Sequence, residues 1–178
     1  LVLRSFFEAE ILNVPTEPGG GLDSAHRYGI AVSRYNREMS EDLLRGARER
    51  LASEGIGDEQ LDVIWVPGAW ELPLAIQRLA QMRRHTALIA LGVVIRGQTS
   101  HDRHINRFVS LALGKLSLRF NLPIAFGVLT CNTLKQALRR SDPNSRNKGG
   151  EAAAAALEMV RVLGTLVPSP CSATSTKE

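Results

Sequence analysis

The residues best suited to chemistry lie close together in one stretch, Leu91-Gly-Val-Val-Ile-Arg-Gly-Gln-Thr-Ser-His101. Gly97 lets a backbone approach a ligand closely, Thr99 and Ser100 offer hydroxyls, and His101 carries the only side chain there that titrates near neutral pH. The run from Ala87 to Ile95 is apolar and short, which predicts a strand buried on both faces. From about Asp102 to Asn121, apolar residues recur at Ile105, Phe108, Val109, Ala112, Leu113 and Leu116, which is helical spacing. Gly97 to His101 therefore joins the carboxyl end of a strand to the start of a helix, where free amides and the helix dipole favour an anion. One reading is a phosphate cradle beside a proton carrier. The plainer reading, in which Ser100 caps the helix and His101 is an ordinary first-turn residue, fits the same residues.

Other candidates are scattered. Glu71 follows Gly-Ala-Trp at a helix start and suits a polyhydroxy ligand or a simple dipole contact. Tyr35 suits stacking on a planar ring, or core filling. Arg139, Arg140, Arg146 and Lys148 form the densest basic cluster, suited to a phosphate or to solvent. No GxGxxG or GxxxxGK[ST] follows a strand, and Ser100-His101 lacks a nucleophile elbow. His101 and His104 have helical spacing but no evident third ligand, so no metal is expected.

The elements that must position these residues alternate. Tyr28 to Ser33 reads as a strand, about Ser40 to Glu54 as a helix stopped by Gly55, and Leu61 to Val66 as a strand. Pro67 to Glu71 turns the chain, and Pro73 sits in the first turn of a helix ending near Arg84. After the segments around His101, Pro123 starts a strand to Leu129. Thr130 or Asn132 then caps a short helix to about Arg140, and Gly149-Gly150 opens the last helix. Such alternation predicts a parallel sheet with helices on both faces, and a ligand site at the strands' carboxyl ends. Tyr35, residues 68–71, residues 97–101 and residues 130–132 all fall at those ends, which favours a small-molecule site. The expected organisation is an arm over 1–27, an α/β domain over 28–167 and a disordered tail over 168–178. Within the arm, Arg4 to Leu12 reads as a strand severed from the body by a Pro/Gly-rich loop.

At 178 residues with 44% hydrophobic content, the chain suffices for one domain with a real core. The net charge of +4 comes without a basic arm, so nucleic-acid binding is not expected. Cys131 and Cys171 have no zinc or CxxC spacing, no run reaches membrane-spanning length, and the first residues lack a signal-peptide layout. A reduced, cytoplasmic protein is expected.

Five blocks resemble the 6,7-dimethyl-8-ribityllumazine synthase family: Ser33-Arg-Tyr-Asn36, Val66-Pro-Gly-Ala-Trp-Glu-Leu-Pro73, residues 91–101, Pro123-Ile-Ala-Phe-Gly-Val-Leu-Thr130 and Asn147-Lys-Gly-Gly-Glu-Ala-Ala153. They occur in order, at nearly gapless spacing, from about residue 28 to 164. The resemblance implies a three-layer α/β/α flavodoxin-like sandwich on a four-stranded parallel sheet, with the leading strand added to a neighbouring subunit. It implies the penultimate step of riboflavin synthesis: 5-amino-6-(D-ribitylamino)uracil condenses with 3,4-dihydroxy-2-butanone 4-phosphate, with no cofactor. By position, Tyr35 would stack on the pyrimidine, and Val93, Val94 and Ile95 would line it. Ala69, Trp70 and Glu71 would hold the ribityl chain, and Gln98 and Thr99 the phosphate, while His101 would move protons. Phe126, Arg140 and Lys148 would come from the adjacent subunit, within a homopentamer or a sixty-subunit shell, with riboflavin synthase a candidate partner. Asp102, Arg103 and Phe108 depart from the family pattern, and their place on a helix expected to face neighbours puts assembly in question more than chemistry. Rival readings are a shell or flavin-binding protein without turnover, and a related condensing enzyme using another amine.

Overall fold

A computed structural model describes residues 26–144 and 146–166. The expected strand over Arg4 to Leu12 and the tail from Pro168 lie outside the described residues. Four strands, β1 (Arg27–Ser33), β2 (Leu61–Val66), β3 (His85–Ile95) and β4 (Ile124–Cys131), form one sheet in the order β2-β1-β3-β4. All pairings are parallel. The helices are α1 (Arg37–Ala52), α2 (Leu72–Gln81), α3 (His101–Phe120), α4 (Leu134–Ser141) and α5 (Lys148–Thr165). Among the described residues this is the expected α/β sandwich, and no helix is long and apolar enough to cross a membrane.

Two cores flank the sheet. On one face, Leu43, Ala47 and Leu51 of α1 meet Ala153, Ala156 and Leu157 of α5 above Ile30, Ile89 and Leu91. On the other, Leu72 and Ile76 of α2 meet Val109 and Leu113 of α3 below Ala31, Leu88 and Ala90. Alternate residues of β1 and β3 thus enter opposite cores, which is why these strands read as unbroken apolar runs. The α1–α5 crossing is close. A Cβ on Gly149 would come 1.9 Å from the Leu43 carbonyl oxygen, so only glycine admits the start of α5 there.

Several boundaries differ from expectation. Helix α1 starts at Arg37 rather than Ser40, because Asn36 adopts a left-handed conformation (φ 58°) and turns the chain at once. Helix α2 stops at Gln81, short of Arg84, where positive φ at Arg83 breaks the run. Strand β4 continues through Thr130 and Cys131, paired with Val94 and Ile95, so neither Thr130 nor Asn132 caps α4. Thr133 does, its side chain accepting from the Gln136 amide.

Candidate active site

Strand order reverses between β1 and β3. Their carboxyl ends therefore open a crevice not covered by a crossover. Three backbone extensions shape it. Past β1, the Arg34 amide donates to Val66 O (2.8 Å) and the Tyr35 amide to Pro67 O (3.1 Å), so this loop follows the end of β2. Asn36 Nδ2 donates to Val93 O (2.9 Å), tying the same loop to β3. Past β3, the Arg96 amide donates to Cys131 O (2.8 Å), continuing the β3–β4 ladder by one residue. Tyr35 is left 72% exposed at the crevice, which rules out core filling.

Past β2, residues Ala69–Glu71 form one 3-10 turn. Glu71 Oε2 accepts from the Gly68 amide at 2.9 Å, so this carboxylate closes its own turn. Ala69 is buried and Trp70 stands out at 51% exposure. At the head of α3, Ser100 makes no side-chain cap bond, contrary to the plainer sequence reading. Instead Thr99 Oγ1 accepts from the His101 amide at 3.4 Å. The His101 side chain is exposed, and its ring makes no hydrogen bond to any described residue. No described atom lies within 4 Å of a Cβ built on Gly97, so packing within the chain does not demand glycine there.

These pieces enclose a cavity of about 380 Å³. Of the residues singled out from sequence, Tyr35, Ala69, Trp70, Val93, Val94, Ile95, Thr99 and His101 line it, while Glu71 and Gln98 do not. Asp102 and Ile105 join the lining; helical spacing from His101 was the available signal for Ile105. The cavity combines aromatic rings, an apolar floor, a hydroxyl and a titratable ring at a helix start. That set suits a planar polar ligand and proton transfer.

Phe126, Arg140 and Lys148 lie elsewhere in the chain. They line a second cavity of about 360 Å³ along edge strand β4, together with Thr130 and Glu151. The two linings share no residue. Arg140 donates to Gln136 O of its own helix (3.3 Å) and otherwise presents its charge to the cavity, whereas Lys148 Nζ is bonded to Glu151. Asn147 sets this corner. Its Oδ1 accepts from the Gly149 (2.8 Å) and Gly150 (3.2 Å) amides, and its Nδ2 donates to Asp42 O and Ser141 O. One buried amide thus pins the residue after Arg140 and the residue before Lys148 to α1. Gly46 makes room for it, since a Cβ there would meet Asn147 Oδ1 at 2.3 Å. Burial pushes the neighbouring Cys131 thiol up, against the opposing charge of Arg140.

Of the departures near His101, one lines the first cavity and another contacts its wall. Asp102 lines it, and Phe108 stacks on Trp70. Arg103 is exposed. Among the described residues, no three His, Cys, Asp or Glu side chains gather as a metal set, His101 and His104 included.

An open parallel sheet with an aromatic-walled cavity at its switch point, and a histidine opening the adjacent helix, defines a flavodoxin-like enzyme acting on small molecules. The family is narrower than that class. The family model of 6,7-dimethyl-8-ribityllumazine synthase matches residues 25–164, and the chain belongs to that family. It is accordingly a transferase of riboflavin biosynthesis.

Proposed function

We propose that the chain condenses 5-amino-6-(D-ribitylamino)uracil with 3,4-dihydroxy-2-butanone 4-phosphate to 6,7-dimethyl-8-ribityllumazine. The observation that carries this reading is the switch-point cavity, with Tyr35 and Trp70 on its walls and His101 at its rim. The pyrimidine lies against Tyr35 and the apolar Val93–Ile95 segment, and the ribityl chain runs toward residues 69–71. The amine attacks the ketone, and the carbinolamine loses water to give an imine. Elimination of phosphate leaves an enol that tautomerises to a ketone. The ribityl-bearing nitrogen closes onto that carbonyl, and a second water departs. Each step moves a proton between nitrogen, carbon and oxygen, and the exposed imidazole of His101 beside the cavity supports the reading that it carries that proton. Thr99 and the amides at the head of α3 take the phosphate, while Gln98, next to them in the same loop, lies outside the lining.

Arg140 suits that phosphate by charge, yet lies in the second cavity. We infer that Phe126, Arg140 and Lys148 of one subunit complete the first cavity of the next. The chain then works as a homopentamer, with a sixty-subunit shell favoured over the pentamer alone because residues 141–146 match shell-forming members of the family in length, against which stand Pro143 and the departures at Asp102, Arg103 and Phe108. It acts in the cytoplasm, with riboflavin synthase a candidate partner and without a cofactor.

Mixing both substrates with the protein tests the reaction. Lumazine fluorescence with stoichiometric phosphate release is expected, and absence of both overturns the reading. Light scattering with size-exclusion chromatography tests the shared site: five subunits or a multiple are expected, whereas a stable active monomer overturns it.

A further inference from the structure

One ring contact at the cavity wall involves a residue that does not itself line the cavity. Trp70 and Phe108 stack with centroids 4.1 Å apart and planes inclined by 29°. Trp70 lines the switch-point cavity, and Phe108 stands behind it at 39% exposure. Among the described residues no other ring stacks on the indole. Its backbone belongs to a three-residue 3-10 turn, it is half exposed, and its Nε1 donates to no described residue.

Helix α3 supplies the rest of the geometry. His101, Ile105 and Phe108 are spaced i, i+4, i+7, so they form one stripe along one face. The first is the candidate proton carrier, the second lines the cavity, and the third backs its aromatic wall. The α3 face that places the imidazole therefore also sets the angle of the indole opposite. We propose that Phe108 is a positioning residue. By stacking on Trp70 it fixes the width of the cavity on the side that receives the polyol arm of the amine substrate. This rests on the reading of that cavity as the substrate site. Phe108 touches neither substrate; it acts through the indole, whose face packs against the C–H groups of a polyol.

The test uses full-length Phe108→Ala, Phe108→Tyr and Trp70→Ala, with steady-state kinetics in both substrates. A ring pair contributes an amount worth about two- to ten-fold in binding. F108A should raise the KM for the ribitylamino substrate by about that factor, with the KM for the butanone phosphate unchanged and F108Y near wild type. Trp65 is the other tryptophan. In a Trp65→Phe background, F108A should make Trp70 fluorescence more accessible to acrylamide, which reports loss of the stack, while the split between the two KM values is what a merely structural role would not produce. If W70A raises the amine KM and F108A does not, the positioning role is wrong while the site assignment stands. If W70A also leaves the amine KM unchanged, the site assignment fails. Equal changes in both KM values, together with a lowered melting temperature, would make Phe108 a general packing residue and overturn the proposal.

Discussion

The two ends of the sheet each carry a histidine in polar company, and they use it oppositely. At the amino end, His85 is buried with both ring nitrogens engaged, Nδ1 with Leu79 O (3.1 Å) and Nε2 with Asp62 Oδ2 (2.8 Å). Asp62 also accepts from Arg27 (2.8 Å) and pairs with Arg84 (2.9 Å). Hydrogen bonding from Arg27, assisted by His85 and Arg84, holds its carboxyl at about 2 rather than the usual 3.8, against an opposing effect of burial. At the carboxyl end, His101 is exposed, its ring has no described partner, and a cavity lies beside it. Where every polar group is answered from within the chain, the cluster clamps strands together. Where groups around a cavity are left unanswered, the chain leaves them for a ligand.

The sharpest way to break this contrast is to remove each histidine. His101→Ala should lower turnover by about 10²–10⁴-fold, as loss of a placed acid/base does, and leave the melting temperature unchanged. Near-native turnover would assign the proton transfers to solvent.

Arg140→Ala tests whether the second cavity belongs with the carboxyl end. A charge-assisted phosphate contact contributes about 1.5–3 kcal/mol. The KM for the butanone phosphate should rise about ten-fold or more, with the pyrimidine KM unmoved; equal loss in both would make Arg140 structural. Smaller still, His85→Ala strands the Leu79 carbonyl and one bond of Asp62, costing about 1–3 kcal/mol of stability. Thermal melting should show that loss, with turnover per folded enzyme intact; a selective fall in turnover would tie the two ends together.

The smallest effect is one of pH. A carboxyl lowered on folding contributes stability that is complete above its unfolded value and lost as pH falls through its folded value. For Asp62 that window runs from about pH 4 down to about 2. Asp62→Asn should destabilise the protein at neutral pH and flatten the acid limb of a denaturation series between those values. An unchanged acid limb would assign it to other carboxylates.

Local pattern carried far in this chain. The β-α alternation and the apolar run ending at Ile95 were enough to expect a parallel sheet with its site at the carboxyl ends. Eight of the residues proposed from sequence and resemblance line one cavity. What escaped depends on contacts distant in sequence. The bond from Asn36 to Val93 O was not legible because it spans 57 residues. Thr130 and Asn132 read as caps because nothing local reveals that β3 holds β4 extended through Cys131. Glu71 read as a polyol acceptor or a helix-start dipole contact, and its bond to Gly68 stayed hidden because it exists only once the turn has formed. His85 and Asp62 drew no attention, since residues 23 positions apart meet only through strand pairing with β1.

The separation of the two cavities has a genetic consequence under the shared-site reading. One chain would contribute its histidine cavity to one catalytic unit and its arginine cavity to another, so damage to either would be inherited by different neighbours. Chains with His101→Ala and chains with Arg140→Ala, each impaired alone, would complement when co-assembled. In a randomly mixed ring at equal dose, about one site in four would draw both intact halves. By the same count, a chain damaged in one half spoils one site and no more, leaving about half of the sites intact at equal dose, whereas a chain damaged in both halves spoils two and leaves about one in four.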